Sequence, residues 1–286
     1  LGQKMKILVT GGAGYIGSHV ALALIDKNFD VIVLDNLSTG FKELIHKKAK
    51  FIEGDYANLD LLTQIFDNNE FSAVMHCAGD IKVEESVKDP HKYYYNNTFK
   101  TLQFVNFISQ TSVKNIIFSS TALVYDINKG GLVTESSNLE PVNPYGSSKL
   151  MSERILQDIA KASELKYFIL RYFNVAGSDL LNRSGQMNEN ATHLIKACVE
   201  CALNKRKKIE IYGNQYQTKD GTCVRDYIHI ADLVSGHLIA LEHLVNNGNS
   251  DICNLGYGIG HSVLEIVDKT RKLSGNNFSV EFTQSR

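Results

Sequence analysis

The chain alternates short apolar runs with amphipathic stretches of helical period. Ile7-Leu-Val9, Val31-Ile-Val-Leu34, Ala73-Val-Met-His-Cys77, Asn115-Ile-Ile-Phe118 and Tyr167-Phe-Ile-Leu170 are apolar on both faces, the pattern of parallel strands buried between two layers. Phe51-Ile52, ending at Gly54-Asp55, reads as a further short strand. Helical spacing fills the gaps. It runs over 18–26 with Val20, Ala23 and Leu24 on one face, and over 59–66. It returns behind Pro90 with Phe99, Leu102, Val105, Phe107 and Ile108, and over 144–162 with Leu150, Ile155, Leu156 and Ile159. Tyr93, Tyr94 and Tyr95 read as packing. Such alternation predicts an α/β fold with a doubly wound parallel sheet of six or seven strands.

After Asn174 the alternation stops. Loops are expected over 178–190 and 218–225, with a helix over 191–204 and a strand at Ile209-Glu-Ile-Tyr212 between them. Strand then helix return over 226–244. A strand at Ile252-Cys-Asn-Leu255, a helix capped by Ser262 and a last strand over 278–282 follow. The expected organisation is a first domain over 5–175, with 225–255 returning to it. A smaller C-terminal substrate lobe would comprise 176–224 and 256–286.

Chemistry enters where the first strand ends. Gly11 follows it, Gly12-x-Gly14-x-x-Gly17 leads into the next helix, and Asp35 closes the second strand. Strand, glycine turn, helix, strand and acid form the Rossmann fingerprint of a dinucleotide site. The glycines let the backbone approach a pyrophosphate, whose charge rests on the N–H groups and dipole of the helix N-terminus. A carboxylate about 20 residues past the turn bonds an adenosine ribose and repels a 2′-phosphate, so NAD is expected rather than NADP.

A second signal is Tyr145-Gly-Ser-Ser-Lys149. Residues four apart share a helix face, so phenol and ammonium point the same way. A phenol titrates near about 10, and a neighbouring ammonium and a cationic nicotinamide both favour the phenolate. Such a tyrosine takes a proton from an alcohol as a hydride leaves the same carbon. Ser119-Ser-Thr121 lies at the carboxyl end of the fifth strand, where open α/β sheets bind ligands.

Composition narrows the partners. The 286 residues carry 43% hydrophobic and 21% charged side chains and a formal charge of −1, which gives no reason to expect a nucleic-acid partner. The basic cluster at 205–208 reads as a solvated helix end. No stretch has the length and apolarity of a membrane span, and no secretory signal is expected. Leu1-Gly-Gln-Lys4 ahead of Met5 reads as an expression remnant. Five scattered cysteines suit a reducing cytoplasm, and Cys198-x-x-Cys201 reads as core, not metal.

The glycine turn, Thr121 and the Tyr145–Lys149 pair together resemble the extended short-chain dehydrogenase/reductase superfamily over nearly the whole chain. Further motifs are similar to the UDP-glucose 4-epimerase family within it. They include Thr10-Gly-Gly-Ala-Gly-Tyr-Ile-Gly-Ser-His19, Asn143-Pro-Tyr145, Leu170-Arg-Tyr-Phe-Asn-Val-Ala-Gly177 and Asp220-Gly-Thr-Cys-Val-Arg-Asp-Tyr-Ile-His229. The resemblance implies an NAD-dependent isomerase of galactose metabolism. It would interconvert UDP-glucose and UDP-galactose through a transient 4-keto sugar and bound NADH.

Position by position, the resemblance makes Tyr145 the base, Lys149 its tuner and Thr121 the hydroxyl that shares the proton. Gly11, Gly14, Tyr15, Ile16, Gly17, Asp35, Asn36, Asp55, Asn96 and Phe173 would line the NAD site. Asn174, His193 and Arg225 would touch the UDP-sugar. A homodimer packed through helices near 90–111 and 144–162 is also implied. Some positions keep a plainer reading: Asp55 as a turn residue, Phe173 as core, His193 as a helix start, and Arg225 as a partner of Asp226 or Asp232. For Arg225 the bidentate fork favours a diphosphate. The stretch 78–86 fits the family loosely, so Lys82 receives no role. The family would continue past Arg286 with a further arginine and closing helices, so a truncated lobe is expected. A sister dehydratase would place Asp-Glu after the strand-five threonine, where Ala122-Leu123 stand. A non-catalytic sensor would not need both Tyr145 and Lys149.

Overall fold

The computed structural model describes residues 4–126, 130–188 and 192–285. Its strands, in chain order, are β1 (Lys6–Thr10), β2 (Asp30–Asp35), β3 (Lys50–Glu53), β4 (Ala73–His76), β5 (Asn115–Thr121), β6 (Lys166–Tyr172), β7 (Asn174–Ala176), β8 (Lys208–Tyr212), β9 (Val224–His229), β10 (Asp251–Leu255), β11 (Gly260–Ser262) and β12 (Ser279–Thr283). The helices are α1 (Tyr15–Asp26), α2 (Leu59–Asp67), α3 (Val83–Lys88), α4 (Pro90–Tyr93), α5 (Lys100–Ser109), α6 (Pro144–Lys161), α7 (Leu194–Ala202), α8 (Ile230–Val245) and α9 (Val263–Ser274). A π-helical stretch, Tyr94–Phe99, joins α4 to α5.

Seven strands pair in parallel in the order β10-β6-β5-β4-β1-β2-β3. Side chains alternate across the sheet. Ile7, Val9, Val31, Val33, Met75 and Leu170 enter one core with Val20 and Leu24 of α1 and Leu233 and Leu241 of α8. Leu8, Ile32, Leu34, Val74, Ile116 and Phe118 enter the opposite core with Leu62 of α2, Phe104 of α5 and Leu156 of α6. Burial on both faces is why the strands read as unbroken apolar runs. The strand order turns back between β1 and β4, and open α/β sheets bind ligands at such a switch point.

The later chain adds two small sheets. In one, β9 pairs in parallel with β7 and antiparallel with β11; in the other, β8 pairs in parallel with β12. Cys198 and Cys201 pack with Ala197, Ile209, Ile211, Val267 and Phe278 in a separate core. Helix α9 starts with a reciprocal capping box between Ser262 and Glu265.

Several elements differ from the expectation. Val224 and Arg225, read as loop, open β9, because their ladder partners Ser262 and His261 lie far along the chain. The loosely matching stretch after β4 contains α3. Of the three tyrosines read as packing, Tyr93 is buried, but Tyr94 and Tyr95 are exposed, 36% and 48%. The helix expected from Ala191 begins at Leu194. Ala191 itself, like Leu1 to Gln3 of the N-terminal stretch and Arg286, lies outside the described residues. Among the described residues, no helix is long and apolar enough to cross a membrane.

Candidate active site

At the end of β1 the chain must turn sharply to start α1. Gly11 does so at φ +71°, and its N–H donates to Leu34 O at 2.9 Å. A Cβ on Gly17 would lie 2.2 Å from Gly11 O, so only glycine lets the helix close on the turn. Helix α1 starts behind Gly14 with no side-chain cap and no acid in its first turn, which leaves the positive end of the helix open to an anion. Ile16 packs on the core, and the Tyr15 hydroxyl donates to Gly177 O at 2.7 Å.

Asp35 ends β2, and both its oxygens are engaged. Oδ2 accepts from Ala13 N at 2.9 Å, inside the glycine turn, and Oδ1 from Leu37 N at 2.8 Å. A carboxylate has about four acceptor positions, so lone pairs remain for ribose hydroxyls. The uncapped helix start, the turn without Cβ bulk and this carboxylate fit a dinucleotide. Further along the edge, Asn36 Nδ2 donates to Asp55 Oδ2 at 3.3 Å. Asp55 is both turn residue and ion-pair partner: it accepts from Ala57 N at 2.9 Å and from Lys100 Nζ at 2.7 Å. Burial pushes its pKa up, but the hydrogen bonds and charge of Lys100, with help from Ala57 and Asn36, hold it below the usual carboxylate value. Asn96 lies in the π-helical stretch. Its Nδ2 donates to Asp80 at 2.7 Å, and its carbonyl accepts the Tyr56 hydroxyl.

Helix α6 presents the second group. Pro144 and the Asn143 side chain, which accepts from Gly146 N at 2.8 Å, start the helix. Tyr145 therefore falls in the first turn and Lys149 one turn on. Thr121, at the end of β5, lies beside the Tyr145 phenol, whose pKa its hydroxyl lowers, and all three side chains are buried. Thr121 Oγ1 also accepts from Leu123 N at 3.2 Å, so its own proton is available for the phenol. The Lys149 ammonium lies 4.5 Å from the centre of the Phe118 ring. Burial dominates the titration of both groups. It raises Tyr145 to about 12 against the opposing bond from Thr121. It lowers Lys149 to about 8 against the pull of Cys77 and Glu153. The depressed phenol pKa expected from the sequence is thus absent without the cofactor's positive charge, because desolvation penalises the phenolate.

The remaining candidates belong to the strands beyond β6. Phe173 links β6 to β7 and stands against Gly256, where a Cβ would come within 2.7 Å of the ring. Asn174 opens β7 and donates to Asp226 O at 3.1 Å, which joins it to β9. Arg225 on β9 is exposed, and its Nη1 donates to Val224 O at 2.8 Å. Neither acid weighed as its partner holds it. Asp226 accepts from Tyr257 N and Gly258 N, and Asp232 from the Tyr257 hydroxyl. His193 stands apart at the start of α7, with Nδ1 3.0 Å from Gln186 Nε2.

The NAD dependent epimerase/dehydratase family matches residues 7–256. The chain belongs to this family. Among the epimerase/dehydratase relatives, UDP-glucose 4-epimerase of Azospirillum brasilense is 44% identical over 281 residues, 98% of this chain and 81% of that protein. The crystal structure of UDP-glucose 4-epimerase from Brucella ovis in complex with NAD superposes with a TM-score of 0.94 at 39% identity, over 99% of this chain and 86% of that one. The UDP-Glc/GlcNAc 4-epimerase of Campylobacter jejuni superposes with a TM-score of 0.85 at 45% identity, over 99% and 87%.

The structure also brings in residues that the sequence reading passed over. Lys100 holds Asp55. Asn97, in the π-helical stretch, donates to Asp80 O at 3.0 Å and to Ser148 Oγ at 3.1 Å, and accepts from Asp80 N at 2.8 Å, so it ties the loop after β4 to α6. Glu153 and Arg171 form a buried pair behind Lys149. Glu153 had a signal, since it continues the four-residue spacing of Tyr145 and Lys149. Lys100 and Asn97 had none, because their partners come from distant strands and helices.

Proposed function

We propose that this chain interconverts UDP-glucose and UDP-galactose as an NAD-dependent 4-epimerase of galactose metabolism. The observation that carries the reading is the burial together of Thr121, Tyr145 and, one helical turn on, Lys149, at the carboxyl end of a sheet whose first turn fits a dinucleotide. The relatives named above are 4-epimerases of nucleotide sugars, and one of their structures contains NAD.

In this proposal Gly11, Gly14, Tyr15, Ile16 and Gly17 receive the pyrophosphate of NAD, Asp35 and Asn36 its adenosine ribose, and Asp55 its adenine end. Asn96 and Phe173 border the remainder. NAD, when bound there, would supply the acceptor for the C4 hydride of the sugar and the donor for its return with inversion. Tyr145 takes the 4-hydroxyl proton, with Thr121 donating to the phenol oxygen as charge develops there. Lys149 keeps a positive charge beside it, which favours the phenolate. The proton returns from Tyr145 when the inverted alcohol forms. Asn174 and Arg225 hold the nucleotide end, and His193 closes the far side. The UDP thus stays anchored while the sugar rotates. The substrate lobe comprises 176–224 and 256–286, with 225–255 returned to the cofactor domain of 5–175.

The proposed site works in the cytoplasm, and the assembly is a homodimer. Tyr95, Phe99, Leu102 and Met151 leave an apolar face exposed on the π-helical stretch, α5 and α6, which supports a second copy of the chain there. The test is epimerisation of UDP-galactose by purified protein, with UDP-N-acetylgalactosamine in parallel and absorbance near about 340 nm followed as substrate is added. Production of UDP-glucose is the expected result. A protein that carries NAD yet leaves UDP-galactose unchanged would refute the reading.

A further inference from the structure

Glu153 is fully buried, and so is nearly all of Arg171. Arg171 Nε lies 3.1 and 3.2 Å from the two Glu153 oxygens, and Nη2 lies 2.6 Å from Oε2. The Ser120 hydroxyl donates to Glu153 Oε1. Arg171 Nη1 donates to the Tyr125 hydroxyl at 2.9 Å, which in turn donates to Asn254 Oδ1 at 2.7 Å. One carboxylate on α6 therefore ties together β5, β6 and, through Tyr125, β10.

Burying an ion pair is expensive and often adds no stability over a well-packed apolar pair. The placement of this one points to another use. Ser120 immediately precedes Thr121, and Glu153 follows Lys149 by one helical turn on the face that carries Tyr145. Resting on the epimerase reading above, we propose that the Arg171–Glu153 pair is a positioning element of the reaction. Through Ser120 it fixes β5 against α6 so that Thr121 meets Tyr145. Its carboxylate is a fixed negative charge one turn behind the Lys149 ammonium.

The groups facing Lys149 support the second role. From β4 come His76 and, just after it, Cys77; burial drives His76 down to about 3 and Cys77 up to about 11, so both are neutral at physiological pH. From β5 comes the uncharged Phe118 ring, and from α6 come Tyr145 and Glu153. Glu153 carries the permanent opposite charge, with the balancing positive charge of Arg171, from β6, on its far side. Removing it makes the ammonium easier to deprotonate, so the alkaline limb of the rate profile moves to lower pH.

Three variants of the full chain test this against wild type, with kcat, KM, NAD content and pH profile measured on each. Glu153→Gln should lower kcat about 10- to 100-fold through misplacement of the reacting groups, with KM for UDP-galactose little changed. Its alkaline limb should move down by about half a pH unit or more. The double variant Glu153→Met with Arg171→Met removes both charges at similar bulk, so no lone buried charge remains to unfold the protein. It should show the same loss of kcat with NAD retained, and a smaller movement of the limb, because the guanidinium leaves with the carboxylate. Ser120→Ala should lower kcat several-fold and leave the limb in place, since it cuts the tie to β5 and keeps the charge. A folded double variant with wild-type kcat, or a folded Glu153→Gln variant whose alkaline limb stays in place, overturns the proposal. If neither Glu153 variant folds, a Ser120→Ala enzyme with wild-type kcat overturns it. An inactive wild type would count against the epimerase reading and not against the pair.

Discussion

Asp35→Asn is a substitution of nearly constant shape with a large expected effect. In the structure, Oδ1 and Oδ2 each accept one backbone N–H, from Leu37 and Ala13. An amide keeps one acceptor and turns the other into a donor, which then faces an N–H. The charge on the surviving bond is lost as well. A hydrogen bond to a charged group contributes about 1.5–3 kcal/mol, so losing one and opposing two donors costs about 2–4 kcal/mol. Asp35 is only 9% exposed, so water replaces little of this. The cost falls on the glycine turn, since Ala13 sits between Gly12 and Gly14. A ligand that needs the turn closed then supplies the difference, which corresponds to NAD binding about 30- to 900-fold weaker. Calorimetric titration of NAD into the apoprotein measures it. Hydrogen exchange at the Ala13 and Leu37 amides reports on the turn itself, and both should exchange faster in the variant. An NAD affinity within threefold of wild type, with unchanged exchange at both amides, would refute the argument. Weaker NAD binding with unchanged exchange would confine the carboxylate to the ribose.

Further outcomes follow from the Tyr145 cluster. Tyr145→Phe should abolish turnover while NAD stays bound; a variant within about tenfold of the wild-type rate would remove Tyr145 from the role of base. Thr121→Ser should be mild and Thr121→Val severe, because the hydroxyl is what reaches the phenol, and equal rates in an epimerase assay would reduce Thr121 to packing. Burial lowers Lys149 to about 8, so its ammonium is complete below that pH and is lost above it. Turnover should accordingly fall as pH rises through that value with NAD content constant, and a rate that stays level well into the alkaline range would deny the ammonium its part.

The sequence determined by itself whatever depends on neighbours along the chain. The glycine turn, the acid at the end of β2 and the shared face of Tyr145 and Lys149 are all set within one turn or one βαβ unit. The core strands were legible because burial on both faces erases the usual alternation of polar and apolar positions. Ser262 as a helix cap was legible too, since its partner Glu265 is three residues away.

Tertiary structure alone decided what rests on distant partners. From the sequence Arg225 reads as loop, with a diphosphate, Asp226 or Asp232 as its partner; the structure places it on β9 between β7 and β11, with the Asp226 carboxylate turned to the 257–258 amides. Asp55 gained Lys100, and Glu153 gained its partner Arg171, only when helices were laid on the sheet. The titration of Tyr145 was likewise beyond the sequence. Helical spacing puts an ammonium nearby and argues for a lower pKa, but how strongly burial opposes it depends on how deeply the first turn of α6 is covered. That depth is a property of the packed molecule, and here desolvation outweighs the opposing effect of Thr121.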